Sequence, residues 1–335
     1  MAGNLDPRAA ARWRRLTLAG REGRFAVSRQ GRQVLELEQV IDQVAQLRGP
    51  ERSVSPLPGG LTNANYKVVT PSGSFVVRRW SDDTGLLAID RDNEYENSVR
   101  AAEAGVGADV IAYMPEHNTM VMSWLEGETL SAQRLRAGGA LLDHVAAACR
   151  QLHGARRFRD DFDMFEIQPR YLRIVHERGF RLPDRYEQFA AHVDAIREAF
   201  APREEGTVPC NNDLLAENFM LTADGLRLID YEYSGNNDPC FELGNVWSES
   251  NLTLVQLEQL VAAYYGRPLR HKVARARLWG LMSKYGWTLW ASISDAISDL
   301  DFDFWAWGLE KYDRAVAEFE GPEFEWLLEE ARRSD

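Results

Sequence analysis

The sequence predicts an α+β chain in two lobes, a small β-rich lobe followed by a larger, mainly helical one. Three observations carry that expectation. Between Val54 and Leu125, short runs rich in β-branched and aromatic residues alternate with Pro/Gly turns. Beyond Gly127 the apolar residues recur at helical spacing almost to the end. One stretch, Thr207 to Pro239, breaks that helical texture with two short apolar runs around a tight turn. A chain of 335 residues is long enough to bury a core in each of two lobes.

Taken in order, residues 1–50 read as a basic, helix-leaning lead-in. Arg12, Arg14 and Arg15 surround Trp13, and Val34, Leu37, Val40, Ile41, Val44 and Leu47 fall at helical spacing. Residues 51–126 form the small lobe. Pro58-Gly59-Gly60 marks a turn, Tyr66–Val69 and Ser74–Arg78 read as a hairpin across Pro71-Ser72-Gly73, and Asp90–Ala104 reads as a helix closed by Gly105. Val110–Tyr113 and Thr119–Trp124 follow as strands joined through Pro115–Asn118. Residues 127–335 form the larger lobe. The chain shows no internal repeat and no low-complexity segment.

Composition narrows the function classes. The net charge of -12 argues against a nucleic-acid partner, whose phosphates require neutralisation by Lys and Arg. No apolar run approaches the roughly 20 residues needed to cross a bilayer, so membrane insertion is not expected. The first residues show basic side chains without an apolar stretch behind them, and the expected compartment is cytoplasmic. Cys149, Cys210 and Cys240 are widely spaced, with neither a disulfide pattern nor metal-ligand spacing. The six histidines likewise show no pair at metal-binding spacing, and His153, near a helix end, is assigned no chemistry.

The chemistry concentrates in TVPCNNDLLAENFMLTADGLRLID, Thr207 to Asp230. Phe219-Met220-Leu221 and Leu226 to Ile229 are the strands of a hairpin whose turn is Thr222-Ala223-Asp224-Gly225. A hairpin returns its ends to one place, so Asn218 at its start and Asp230 at its end face one another. Both offer hard oxygens of the kind magnesium takes. Asp213 lies in the preceding loop, where a substrate hydroxyl needs an acceptor for its proton.

Asp213, Asn218 and Asp230 in this order resemble the catalytic and metal loops of protein kinases. NNDLLAENF together with LIDYEYSGNNDPCFELGN resembles, more closely, the choline/ethanolamine kinase family, relatives of the aminoglycoside phosphotransferases. The resemblance spans roughly residues 55–320, taking in GGLTNANYKV, FVVRRW, the helix of Glu94, RYLRIVHERGFRLP and the Trp-rich C-terminal part. It implies a bilobal protein-kinase-like fold with ATP and Mg2+ as cofactors. Gly59, Gly60, Thr62, Asn63 and Asn65 would cover the ATP phosphates, since glycine lets backbone N–H groups approach an anion. Arg78 would grip the phosphates, oriented by Glu94, and Met122–Leu125 would contact adenine.

The family normally carries His where this chain has Asn211. That His supports the loop and the metal-binding Asp. Asn would replace one of its hydrogen bonds but not the packing of the ring, which leaves reduced activity open. The acceptor is read from KYGWTLWASISDAISDLDFDFWAWGLEKY. Trp287 and Trp290 share a helix face, and Trp305 and Trp307 follow Asp299, Asp301 and Asp303. Aromatic faces attract quaternary ammonium groups. The resemblance implies Trp287, Trp290 and Trp307 as cage walls and Glu249 as an acidic partner, with a further aromatic missing near Leu254. The expectation is therefore phosphorylation of a small cationic amino alcohol, choline first. An aminoglycoside or another small-molecule hydroxyl is the rival acceptor, and a low-activity kinase-like binding or regulatory module is the rival class. A homodimer through the lead-in is left open.

Overall fold

A computed structural model describes residues 35–201 and 206–333, leaving aside the side chains of 82–84. The Arg12–Arg15 cluster and Val34 lie outside the described residues. The described residues form two compact units: one takes 35–82 with Ala112–Val121 and Asp299–Phe302, the other takes Asp83–Ile111, 122–201, 206–298 and 303–333.

In the first unit the expected lead-in helix is broken in two. Helix α1 (Leu37–Ile41) is capped by Glu36 and Gln39, and a 3-10 turn follows at Ala45–Leu47. Between them Val44 is extended, φ -90 and ψ 117, a geometry its β-branched side chain favours. Val40, Ile41, Val44 and Leu47 are all buried, so the apolar spacing is satisfied without a continuous helix. Strand β1 (Ser53–Leu57) opens a five-stranded sheet with β2 (Asn63–Thr70) and β3 (Gly73–Trp80). The order is β1-β2-β3-β5-β4 once β4 (Val110–Met114) and β5 (Thr119–Ser123) are included. The β2–β3 hairpin is antiparallel and sets Asn65 opposite Arg78. β1 escapes the sequence reading because Pro56 interrupts it. Proline is tolerated there because β1 is an edge strand.

The second unit is built on helices. Helix α2 (Arg91–Glu103) starts at Asp90, whose side chain accepts the Asn93 N–H at 3.0 Å. A short strand β6 (Glu128–Thr129) is followed by α3 (Ala132–Arg136), α4 (Ala140–His153), α5 (Met164–Arg178) and α6 (Ala190–Phe200). Then come β7 (Val208–Cys210), β8 (Phe219–Thr222), β9 (Gly225–Leu228) and β10 (Gly235–Asn237). The chain closes with α7 (Pro239–Glu249), α8 (Leu254–Tyr265), α9 (Arg270–Ile297), α10 (Phe304–Phe319) and α11 (Phe324–Ala331). α9 is the central rod, 28 residues long and packed by α5, α7, α10 and α11. It meets α7 at two glycines. A Cβ on Gly244 would lie 2.0 Å from the Ala276 carbonyl, and one on Gly280 would lie 2.7 Å from the Gly244 carbonyl. Glycine at both positions is what allows the backbones this close. Among the described residues no helix is long and apolar enough to cross a membrane.

Candidate active site

Two strand pairings in the second unit assemble the loop. β7 and β10 are antiparallel with Cys210 opposite Gly235, which sets residues 211–213 beside 230–234. The β8–β9 hairpin, with the Asp-Gly turn expected from the sequence, pairs Phe219 with Leu228. The Ile229 N–H then donates to the Asn218 carbonyl at 3.0 Å, so Asn218 and Asp230 arrive together. Asp213, Asn218 and Asp230, named from sequence alone, thus stand on adjoining segments of one unit. Asn212 and Asp230 hold φ +67 and +65. Such left-handed backbone in non-glycine residues is uncommon, tolerated best by Asn and Asp, and concentrates at functional sites.

The backbone, more than the side chains, holds Asp213 in place. Its N–H donates to Asn211 Oδ1 at 3.1 Å, and its carbonyl accepts Asn218 Nδ2 at 2.7 Å. Its carboxyl makes no hydrogen bond among the described residues. Burial pushes that carboxyl well above the ordinary Asp range, Asp230, Glu232 and Glu249 push it further, and Lys311 opposes them. Asn218 donates its amide N–H to the Asp213 carbonyl, and its Oδ1 and the Asp230 carboxylate are both hard oxygens of the kind magnesium takes.

Asn211 does more than the sequence suggested. Its Nδ2 donates to the Asp230 carbonyl at 2.8 Å and the Ile229 carbonyl at 3.3 Å, while its Oδ1 takes the Asp213 N–H. One carboxamide therefore ties the loop of Asp213 to the backbone of Asp230. Asn211→Ala should lower kcat by about tenfold or more, because it frees both segments, and Asn211→His should change kcat by less than about threefold. Steady-state turnover of the two variants checks this, and a collapse in Asn211→His would show that the Asn bridge has no substitute.

Beneath the loop lies a buried support that the sequence reading passed over. Glu242 on α7 accepts the backbone N–H groups of Asn211 and of Asn212, the latter at 3.1 Å through Oε1. Its other oxygen meets His153 Nε2 at 2.5 Å, and His153 Nδ1 meets the Tyr264 hydroxyl at 2.7 Å. Cys210 Sγ lies 3.6 Å from the same ring. His153, Cys210 and Glu242 are close enough to hold a metal ion. Burial, however, drives the Cys210 thiol well up, away from the thiolate a metal needs, and both Glu242 oxygens already serve the loop and His153.

The residues expected at the nucleotide are divided between the two units. Gly59, Gly60, Thr62, Asn63, Asn65 and Arg78 lie together in the first unit. Gly59 and Gly60 both take positive φ, 93 and 86, and a Cβ on Gly60 would meet the Asn63 carbonyl at 2.8 Å. Asn63 Nδ2 donates to Thr62 Oγ1 at 3.1 Å, and Arg78 Nε donates to Asn65 Oδ1 at 3.3 Å. Glu94 lies in the second unit, buried, with Arg91 Nη1 at 2.5 Å; Arg91 also reaches Glu232 at 3.3 Å.

The aromatic residues form one wall of the second unit. Trp287 packs edge-on to Tyr233 with centroids 4.9 Å apart, and Trp290 packs edge-on to Trp307 at 5.6 Å. Trp290 Nε1 donates to the Tyr233 hydroxyl at 2.6 Å, so Tyr233, three residues after Asp230, fastens the wall to the loop. Glu249 is paired with Lys311. The Lys311 ammonium sits 4.1 Å from the centroid of Trp307. Two neighbours serve other ends: Trp305 carries the Arg181 guanidinium at 3.9 Å, and Asp303 accepts the Ala306 N–H at 2.9 Å as the cap of α10. Leu254, where a further aromatic was sought, starts α8 at 41% exposure.

The sequence reading missed Lys311 and Glu242. A faint signal existed for the first, since Trp307 and Lys311 are one helical turn apart in WAWGLEK and an ammonium can reach back over the ring. None existed for Glu242, whose partners lie 30 or more positions away.

Comparison with known proteins agrees with this geometry. The model of the phosphotransferase enzyme family (APH) matches residues 53–276. Protein LicA of Haemophilus influenzae is 25% identical over 270 residues, 77% of each chain. Ethanolamine kinase 2 of Rattus norvegicus is 24% identical over 286 residues, 76% of this chain and 73% of the relative. Among solved structures, a choline/ethanolamine kinase family protein from Mesorhizobium loti is 28% identical, with a TM-score of 0.77 over 88% of this chain and 98% of the other.

Proposed function

The chain belongs to the phosphotransferase enzyme family, and from that premise we propose that it moves the γ-phosphate of ATP to the hydroxyl of a small amino alcohol. Choline, expected from the aromatic faces, and ethanolamine are the first two acceptors. The observation that carries the proposal is the Asp213 carboxyl, fixed by its own backbone and without a hydrogen bond among the described residues. It is a proton acceptor waiting for a donor.

In this reading the acceptor hydroxyl donates to Asp213 while its oxygen attacks the γ-phosphorus. The bond to the bridging oxygen breaks, ADP leaves, and the hydroxyl proton passes to the Asp213 carboxylate. The raised pKa of Asp213 suits it to take that proton. Asn218 Oδ1 and the Asp230 carboxylate would hold magnesium, which supplies charge neutralisation at the phosphate oxygens. The Gly59–Asn65 loop and Arg78 would bind the phosphates, and the Trp287–Trp290–Trp307 wall with Glu249 would receive the ammonium head.

The test is ATP consumption measured with choline, ethanolamine and an aminoglycoside panel at saturating magnesium. Turnover confined to the amino alcohols is the expected result. Turnover with aminoglycosides alone would move the acceptor class. Binding of Mg-ATP without any turnover would make the chain a binding module instead.

A further inference from the structure

We propose that Lys311 decides which ammonium head the acceptor wall takes. By occupying the Trp307 face and one oxygen of Glu249, it leaves the other oxygen to a head that carries N–H and disfavours a quaternary one. This rests on the amino-alcohol reading above and reverses the order that the Trp faces alone suggest.

The niche is built from α7 and α10. The Lys311 and Glu249 side chains are 3% and 4% exposed, an ion pair almost out of water. The ammonium lies 4.1 Å from the Trp307 centroid, so the protein's own cation already takes one face of that ring. Glu249 Oε2 serves Lys311, while Glu249 Oε1 is buried with no hydrogen-bond partner among the described residues. A buried acceptor without a donor is costly, and a ligand that brings an N–H recovers the cost. A quaternary head has no N–H to offer. Its remaining attractions, Coulombic pull and ring contact, are the two that Lys311 has already met. Glu249 and Lys311 both act electrostatically on the Asp213 carboxyl, and all three belong to the second unit.

Methylating the acceptor nitrogen stepwise tests the idea on the full chain with Mg-ATP. Protonated ethanolamine, N-methylethanolamine and N,N-dimethylethanolamine all carry N–H; choline carries none. The wild type should show kcat/KM about tenfold lower for choline than for N,N-dimethylethanolamine, the difference lying in KM. In Lys311→Met, which keeps the apolar stem, the choline KM should fall about tenfold relative to that of N,N-dimethylethanolamine, and the step should close. Lys311→Gln, which keeps a donor to Glu249, should act the same way and stands in if the Met variant does not fold by circular dichroism. A wild type without a drop at the last methylation, or a step unchanged in the folded variants, would overturn the role of Lys311. If nothing in the series is phosphorylated, the functional reading fails separately. Calorimetric titration of N,N-dimethylethanolamine and choline into the three proteins then makes the same comparison on Kd, with the same deciding outcomes.

Discussion

Asp213→Asn should cut kcat by about a thousandfold while leaving the fold intact and slightly stabilised. The two effects have one cause. The carboxyl makes no hydrogen bond among the described residues, so its loss costs no contact seen there. Its pKa is raised on folding by burial and by Asp230, Glu232 and Glu249. A raised carboxyl pKa means the fold disfavours the ionised form. Stability is therefore full below the ordinary Asp range, and falls as pH climbs from there to the folded pKa. Asn, neutral and of the same shape, escapes that penalty. Thermal melting at neutral pH without magnesium should rise by a few degrees, about what 1 kcal/mol gives a chain of this size. A lower melting temperature, or turnover within about tenfold of wild type, would remove Asp213 from the proton-acceptor role.

Asp230→Asn should reduce kcat by at least about a hundredfold and raise the magnesium concentration needed for half-maximal rate. Asn is the informative replacement because position 230 holds φ +65, which Asn adopts at less cost than Ala. The backbone carbonyl that accepts Asn211 is retained as well. Asn218→Asp should be milder, since it keeps a hard oxygen but loses the amide N–H donated to Asp213. Magnesium titrations of both variants decide the matter. A large loss of turnover at unchanged magnesium half-saturation would mean that Asp230 shapes the loop without holding the ion.

Much of this centre was legible in the sequence because its signals are local. The Asp224-Gly225 turn fixes the β8–β9 hairpin, and the hairpin alone brings Asn218 to Asp230. The β2–β3 hairpin declared itself through its turn and alternating residues. What was hidden depends on distant partners. β1 exists because β2 offers it an edge, despite Pro56. The apolar spacing from Val40 to Leu47 is buried as a helix reads it, yet the backbone turns at Val44, since burial fixes where side chains go and not which backbone carries them. Glu249 was expected to face a substrate cation, and it faces Lys311, a partner 62 positions away.

The Gly244–Gly280 crossing bears on how this enzyme's acceptor range can change. Trp287 and Trp290 ride on the same rod as Gly280, seven and ten residues beyond it, or about 10 to 15 Å along the helix. A substitution that widens the crossing tilts the rod and displaces both rings at once, so the α9 wall is inherited as a block with the packing of the helical core. Lys311 stands on α10 and finds its partners, Trp307 and Glu249, on α10 and α7 rather than on that rod. Variation in acceptor preference among natural or selected descendants should accordingly accumulate on α10, leaving α9 nearly still.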